Sequence, residues 1–550
     1  MTVIFQDTYA ALDTRMSVER FVAEPLRIHK LCRSRGEIRD RVAVMYLGKV
    51  MELAGVGNIY ERPRHPYTEA LLSSVPIPDP KILRKKITLT GDVPSPINPP
   101  SGCVFHPRCS RRREACEMVI PEFIVMGSEE ECMLKKEIAR LQGLARKIRE
   151  IAELPIQENN RKLWTAVNDL QMIRPVIHVR DYPHYLIQYG DELTTTIEDE
   201  FLKKIEMDLL VRIYEWEHLR CDRVVEPTVK CPVVYKDSGF GIEASGGDRS
   251  DFIGGGAYNE ARHFESQLTC EEDLKKIKTP VVEYGKDETK RRHDLLREIF
   301  GDILQVKLFG RCNFRCSPMD DIFTWMGISE GMLKLAMEPE LVHQAMELYI
   351  DASIDRIGQY ERLGLLSSNN GFEDIGNNCI GYTSDLPPAT ESGIGAKIAD
   401  IWGHSADQIM TCVSPDMTME FCFDHEKRWA GLFGLYSYGC CERLDKKVDL
   451  LTQSFPNLRK VSSSPYSDLE SMMEQVGERY VISFKPNSTY LAHENAGFDY
   501  LRKEMATALD LSRKYKVNLV FNMKTMISLN GDPTRLWKWC NMASDMIAHY

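Results

Sequence analysis

Short runs rich in β-branched and aromatic residues punctuate the last part of the chain: IMTCVS (409–414), LYSYG (435–439), LRKVSSS (458–464), YVISFK (480–485) and VNLVFNMK (517–524). Amphipathic stretches separate them, among them PDMTMEFCFDHEKRWAGLF, DLESMMEQVGE and DYLRKEMATALDLSRKYK. Strands that alternate with helices must cross over right-handedly, and they build a parallel sheet. The repeat recurs every 20 to 40 residues or so. It predicts an α/β fold, a (β/α)8 TIM barrel with insertions, with a doubly wound sheet as the alternative. Earlier runs, DRVVEPTV (222–229), DILQVKLFG (302–310) and LGLLSSN (363–369), supply further strands. A Gly-rich insertion at 236–267 reads as a long loop over one face.

A barrel of this type places its reactive groups at the C-terminal ends of the strands. Asn370 and Asp374 follow LGLLSSN, and Ser414 follows IMTCV. Cys440, Cys441 and Glu442 follow LYSYG, and Ser462, Ser463 and Ser464 close LRKVSSS. Lys485 and Lys524 end the last two strands. Two lysines, two thiols and several acids thus converge on one rim, where a purely structural barrel end would carry less charge. The adjacent cysteines leave three roles open: core packing, a metal site or a reactive thiol. Zinc requires three or four sulfur, nitrogen or oxygen ligands; Glu442, His425, Cys379 and Cys412 are the available additions. His404 in DIWGHSADQ and Asp385 in YTSDLP are further candidates for catalysis. Lys485 and Lys524 suit an anionic substrate. CNFRCSPM (312–319) has only two of the three thiolates of a C-x3-C-x2-C cluster motif, because its last position is Met319.

The chain has 550 residues and a formal net charge of −11, which excludes a general nucleic-acid binder. No window carries the roughly 18 apolar residues of a membrane span. The N-terminus MTVIFQDTYA lacks the basic and apolar segments of a signal peptide. These features predict a cytoplasmic protein without membrane insertion, whose sixteen cysteines are thiols or metal ligands.

Residues 1–124 differ in character. VIFQDTYAALDTRMSVERFVAEPLRIH, DRVAVMYLGKVMELAGVGNIYERPRHPYTEALLSSVPIPDP and GDVPSPINPPSGCVFHPRC resemble the ATP-binding subunits of oligopeptide/dipeptide ABC transporters, around the Q-loop and at the C-terminal end. Gln6 corresponds to the Q-loop glutamine. No G-x-x-x-x-G-K-[ST] loop occurs anywhere to cradle phosphates, and the signature motif, Walker B acid and switch histidine are absent as well. The resemblance therefore implies an internally deleted, truncated ABC-ATPase remnant joined near Asp40–Ala43, with no ATP bound. In that family, cysteines spaced like Cys103, Cys109 and Cys116 hold an iron–sulfur cluster with a fourth thiolate, here Cys132. A peptide-transporter permease is the partner implied for this part.

Residues 125–154 read as a helical connector and 155–550 as the barrel. Stretches such as RKLWTAVNDLQMIRPVIHV, DIWGHSADQIMTCVSPDM and FGLYSYGCCERLDKKVDLL resemble the uroporphyrinogen decarboxylase superfamily, most of all its methyltransferase-like branch. The Arg-rich R-Q-A-G-R motif that grips porphyrin carboxylates is missing. The resemblance implies an enzyme acting on a small molecule, transferring a methyl group with a corrinoid carried on a partner protein. It also implies zinc on a His-x-Cys motif, where this chain has Tyr438-Gly439-Cys440. The ligand set expected here is Cys440, Cys441 and His425, with Glu442, Lys485, Lys524, Asp385 and His404 as catalytic groups. The alternatives are a metal-free decarboxylase of a smaller acid and a non-catalytic fusion that retains the transporter remnant.

Overall fold

The computed structural model describes residues 3–4, 41–55, 59, 63–73, 87, 89–95, 99–121, 129–244, 264–376, 378 and 380–550. The chain divides into two compact units, Met1–Glu130 and Glu131–Tyr550. Gln6, Cys379 and most of the Gly-rich insertion lie outside the described residues, as does the side chain of Cys132.

The first unit is built on a hairpin of Arg41–Tyr46 and Lys49–Gly55, with Val3–Ile4 pairing in parallel on its other side. Val42, Val44, Tyr46, Tyr67, Leu72, Val104 and Phe105 form its own core. The Glu52 carboxylate accepts hydrogen bonds from the Arg64 and His65 amides at 2.8 and 2.9 Å. It thereby fixes the approach to the helix Pro66–Ser73. The Cys103 amide donates to the Cys116 carbonyl at 2.8 Å, folding the cysteine-bearing segment back on itself.

The second unit begins inside the helix Glu129–Ala152, which buries Leu141, Ala145 and Ile148 at helical spacing. Its centre is a seven-stranded parallel sheet: β1 (Val176–Val179), β2 (Arg315–Cys316), β3 (Trp402–Ser405), β4 (Leu435–Tyr438), β5 (Leu458–Ser463), β6 (Val481–Phe484) and β7 (Asn518–Met523). The spatial order is β1-β7-β6-β5-β4-β3-β2, so the last strand pairs with the first. The ladder does not close between β1 and β2. A separate parallel pair, Thr228–Pro232 with Gln305–Phe309, belongs to this part of the chain, and Arg311 and Leu366 form a single parallel bridge.

Several expected strands are corrected by local chemistry. IMTCVS is a 3-10 turn, Gln408–Cys412, whose Ile409 amide donates to Asp320; the neighbouring strand is β3. DRVVEPTV becomes a strand only from Thr228, because Asp222 turns to bind the Ile177 amide and Arg174. LGLLSSN forms no ladder. Its backbone makes one bridge with Arg311, and the Asn369 side-chain amide accepts from the Trp402 amide and donates to the Cys312 and Trp402 carbonyls.

Period-two alternation splits each strand between two environments. On one face Ile177, Val179, Tyr436, Tyr438, Ile482, Phe484, Leu519 and Phe521 pack in the main hydrophobic core. On the other, Val176, Val481 and Val520 join Trp164, Val167, Ile380 and Tyr382 near the N-terminal strand ends. The same alternation then delivers His178, His404, Ser437, Ser462, Ser483 and Asn522, all buried. The apolar layer seals one end and leaves a polar layer under the C-terminal strand ends.

Candidate active site

Continuing the alternation one step past three strands places Arg180, Lys485 and Lys524 above that polar layer. Lys485 is buried; its ammonium donates to the Cys440 carbonyl and to Ser462 Oγ. Ser462 Oγ in turn lies 2.8 Å from the Cys440 carbonyl. Lys524 Nζ lies 3.3 Å from Cys440 Sγ and 3.2 Å from Asp181 Oδ2. Asp374 Oδ1 receives His178 Nε2 at 3.0 Å and Arg180 Nη1 at 3.1 Å. Arg180 also donates to the Gly376 and Asn378 carbonyls at 3.0 and 2.7 Å.

Gly439 makes the turn that presents the thiol. Its φ is +100°, and a Cβ there would meet Leu444 Cδ1 at 2.6 Å and Ser462 Cβ at 3.0 Å. Glycine is the residue that tolerates both constraints. Immediately beyond it, the Cys440 amide donates to Glu442 Oε2 at 2.7 Å, locking the strand end into a tight loop. Cys440 Sγ and Cys441 Sγ are 3.5 Å apart.

The charges at this rim are shaped by burial and by each other. Cys440 sits well below an ordinary thiol: the hydrogen bond that the Cys441 thiol donates to its sulfur is the largest cause, and together with the Lys485 and Lys524 charges it outweighs the desolvation penalty. Cys441 is held far above an ordinary thiol by the same hydrogen bond and by burial. The pair therefore carries one negative charge, which the hydrogen bond from Cys441 and the Lys524 contact place on Cys440. Burial lowers Lys485. Burial also disfavours the charged form of Lys524, but the Cys440 and Asp181 charges dominate and raise it. Glu442 is buried, and burial together with the Cys440 charge pushes it up to about 7; its Oε1 has no hydrogen-bond partner.

Among the residues expected at the site, Cys440, Cys441, Glu442, Lys485 and Lys524 come together. His404 lies on β3 itself, with Nδ1 3.1 Å from Ser437 Oγ and its ring against Gly376. Burial and the surrounding cations keep it well below the usual histidine range, so it is a neutral imidazole. Two expected residues lie elsewhere. Asp385 is half-exposed and pairs with Arg459 at 2.8 Å, at the start of β5 and so at the opposite end of the sheet. His425 lies on the helix Asp424–Ala430, bonded to Glu347 and His343 at 2.9 Å each. Arg180, Asp181 and His178 were not anticipated; the alternating PVIHVRD segment is the sequence signal that carries them.

A zinc ion on Cys440, Cys441 and His425 does not fit this arrangement. His425 is committed to Glu347 and His343, Tyr438 turns into the hydrophobic core, and Cys412 is exposed. Positive charge is already supplied to the thiolate by Lys524, and a second ammonium stands beside it. Cys103, Cys109 and Cys116, the residues expected to ligate an iron–sulfur centre, are half-buried thiols on one folded segment.

Part of the first unit is similar to known proteins. Residues 51–116 match the family described as oligopeptide/dipeptide transporter, C-terminal region. The oligopeptide transport ATP-binding protein AppF of Bacillus subtilis is 56% identical over 88 residues, 16% of this chain and 27% of that protein. OppF of Haemophilus influenzae is 51% identical over 105 residues, 19% of this chain and 30% of its own length. The chain thus spans less than a third of the length of these relatives. A solved methyltransferase from Methanosarcina mazei aligns with 70% of this chain and 98% of its own, at 11% identity and a TM-score of 0.39.

Proposed function

We propose that the second unit is a (β/α)8-type methyltransferase in which Cys440 is the nucleophile. The observation that carries this reading is the buried Lys524 ammonium 3.3 Å from Cys440 Sγ at the strand ends. A thiolate, not a thiol, attacks carbon, and adjacent cations are what make one available near neutrality.

The step runs as a displacement. The Cys440 sulfur lone pair attacks the methyl carbon of a donor CH3–X, a carbon–sulfur bond forms, the C–X bond breaks, and its electron pair leaves on X. Glu442, pushed up to about 7, carries a proton it can deliver to X as that charge develops. Lys485 fixes the Cys440 carbonyl and keeps the sulfur aimed. Arg180, held by Asp374, supplies a cationic wall that suits an anionic group on the donor. A corrinoid on a partner protein is the proposed second station for the methyl group.

The test uses the full chain with a set of methyl donors: aryl methyl ethers, quaternary methylamines and methyl thioethers. Supporting this reading would be donor consumption and a Cys440 peptide heavier by one methylene, both lost in Cys440→Ser. Carbon dioxide release from a carboxylic acid, unchanged in Cys440→Ser, would replace it with the decarboxylase reading.

A further inference from the structure

A second cluster lies on the other face of the same sheet, behind β3. Asp407, Cys422 and Glu426 place a carboxylate oxygen, a thiol sulfur and a second carboxylate oxygen within 4.8 Å of one another. Glu426 and Cys422 are 0% exposed and Asp407 is 2% exposed. The cluster is assembled by an unusual backbone. Between the short helix Pro415–Thr418 and the helix Asp424–Ala430, residues Met419–Phe423 form a π-helical turn. Such turns are rare and recur at functional sites. This one carries Cys422, and Glu426 follows four residues later, toward Asp407 at the end of β3.

The hydrogen bonding here is incomplete. Asp407 Oδ1 accepts from the Met319 amide at 2.9 Å. Asp407 Oδ2, Glu426 Oε1 and Glu426 Oε2 make no well-formed hydrogen bond; the two carboxyls interact with each other and Glu426 with the Ser405 hydroxyl, and no salt bridge reaches either carboxylate among the described residues. The adjacent Ser405 and Tyr436 hydroxyls bond each other at 2.5 Å. The buried ammonium of Lys447, on the same side, donates to the Met410 carbonyl. Two buried carboxylates side by side must be neutralised. One proton shared between them satisfies two of the three free oxygens. A divalent cation satisfies all three and converts the Cys422 thiol into a thiolate ligand.

We infer that Asp407, Cys422 and Glu426 form a divalent-metal site of mixed sulfur and oxygen ligands. Such a donor set is compatible with Zn2+ or another borderline first-row ion. The ion would tie the helix Asp424–Ala430 to the end of β3, directly behind the Cys440 rim, and so stabilise the site without touching substrate. The Cys440–Cys441 pair is a separate set of atoms, so the two can be tested apart.

The experiment is metal analysis of the full chain purified without chelator, with X-ray absorption at the edge of whichever metal is found. The inference predicts one equivalent per chain with both sulfur and oxygen scatterers. It predicts retention of that metal in Cys440→Ser/Cys441→Ser and at least tenfold weaker retention in Glu426→Gln and Cys422→Ala. Should those variants fail to fold, stripping the wild-type protein with a chelator and adding back Zn2+ gives a second readout, a thermal midpoint that falls and recovers. A chain that folds with no metal and whose midpoint ignores added Zn2+ would overturn the inference in favour of a shared proton. Metal lost only in the Cys440→Ser/Cys441→Ser variant would overturn it in favour of the rim.

Discussion

An ammonium 3.3 Å from a sulfur lowers the cost of ionising it. At an effective dielectric near 20 the attraction is on the order of 5 kcal/mol, part of which desolvation cancels. Because the Cys440 thiol is depressed, its reactive form exists above the folded-state pKa and is lost only as the pH falls through that value. Lys524→Met should therefore slow alkylation of Cys440 at mildly acidic pH by about tenfold or more, with the rate recovering at alkaline pH. A structural role alone would slow the reaction at every pH. Glu442→Gln should remove the activity limb near pH 7, since the wild-type carboxyl loses its proton there and can no longer donate it. A pH–rate profile checks this. Lys485, Lys524 and the Cys440–Glu442 trio were legible in the sequence because each immediately follows a strand whose type was readable. His425 and Asp385 were not: a helix does not announce which partner its histidine faces, and a loop acid does not reveal which end of a sheet it closes.

At the scale of elements, the strand alternation does two tasks at once, burying one row of side chains in the core and aiming the other at the rim. Phe521 belongs to the first row, fully buried beside Phe484. Phe521→Ala should cost about 3–5 kcal/mol in urea unfolding. Gly439 belongs to the second. Gly439→Ala forces a β-carbon to within 2.6 Å of Leu444 and demands a positive φ, so it should lose about 1–3 kcal/mol and blunt Cys440 reactivity along with it. Strands β4, β6 and β7 could be read because hydrophobic and β-branched residues dominate them, and β5 because it falls between two amphipathic helical stretches. β2 escaped because it spans two residues. The run at 409–414 misled because Asp320 captures the Ile409 amide and turns an apolar segment away from the sheet.

For the whole molecule, the described residues fall into two units with separate cores. The first matches a transporter region over residues 51–116, yet the chain has no phosphate-binding loop. The full chain should therefore show no ATP hydrolysis above background, a phosphate-release assay being sufficient. The parallel sheet could be anticipated from the strand–helix rhythm, but the reduction of LGLLSSN to a single bridge with Arg311 could not, since the Asn369 side chain there bonds the Trp402 and Cys312 backbone. The proposed chemistry depends on Cys440 being a thiolate held by Cys441 and the lysines. The direct measurement is the pH dependence of its alkylation by iodoacetamide, followed by mass spectrometry of the Cys440 peptide in the full chain. A half-maximal rate well below the pH of an ordinary thiol is expected, moving upward in Lys524→Met. A midpoint in the ordinary thiol range that Lys524→Met leaves in place would contradict it.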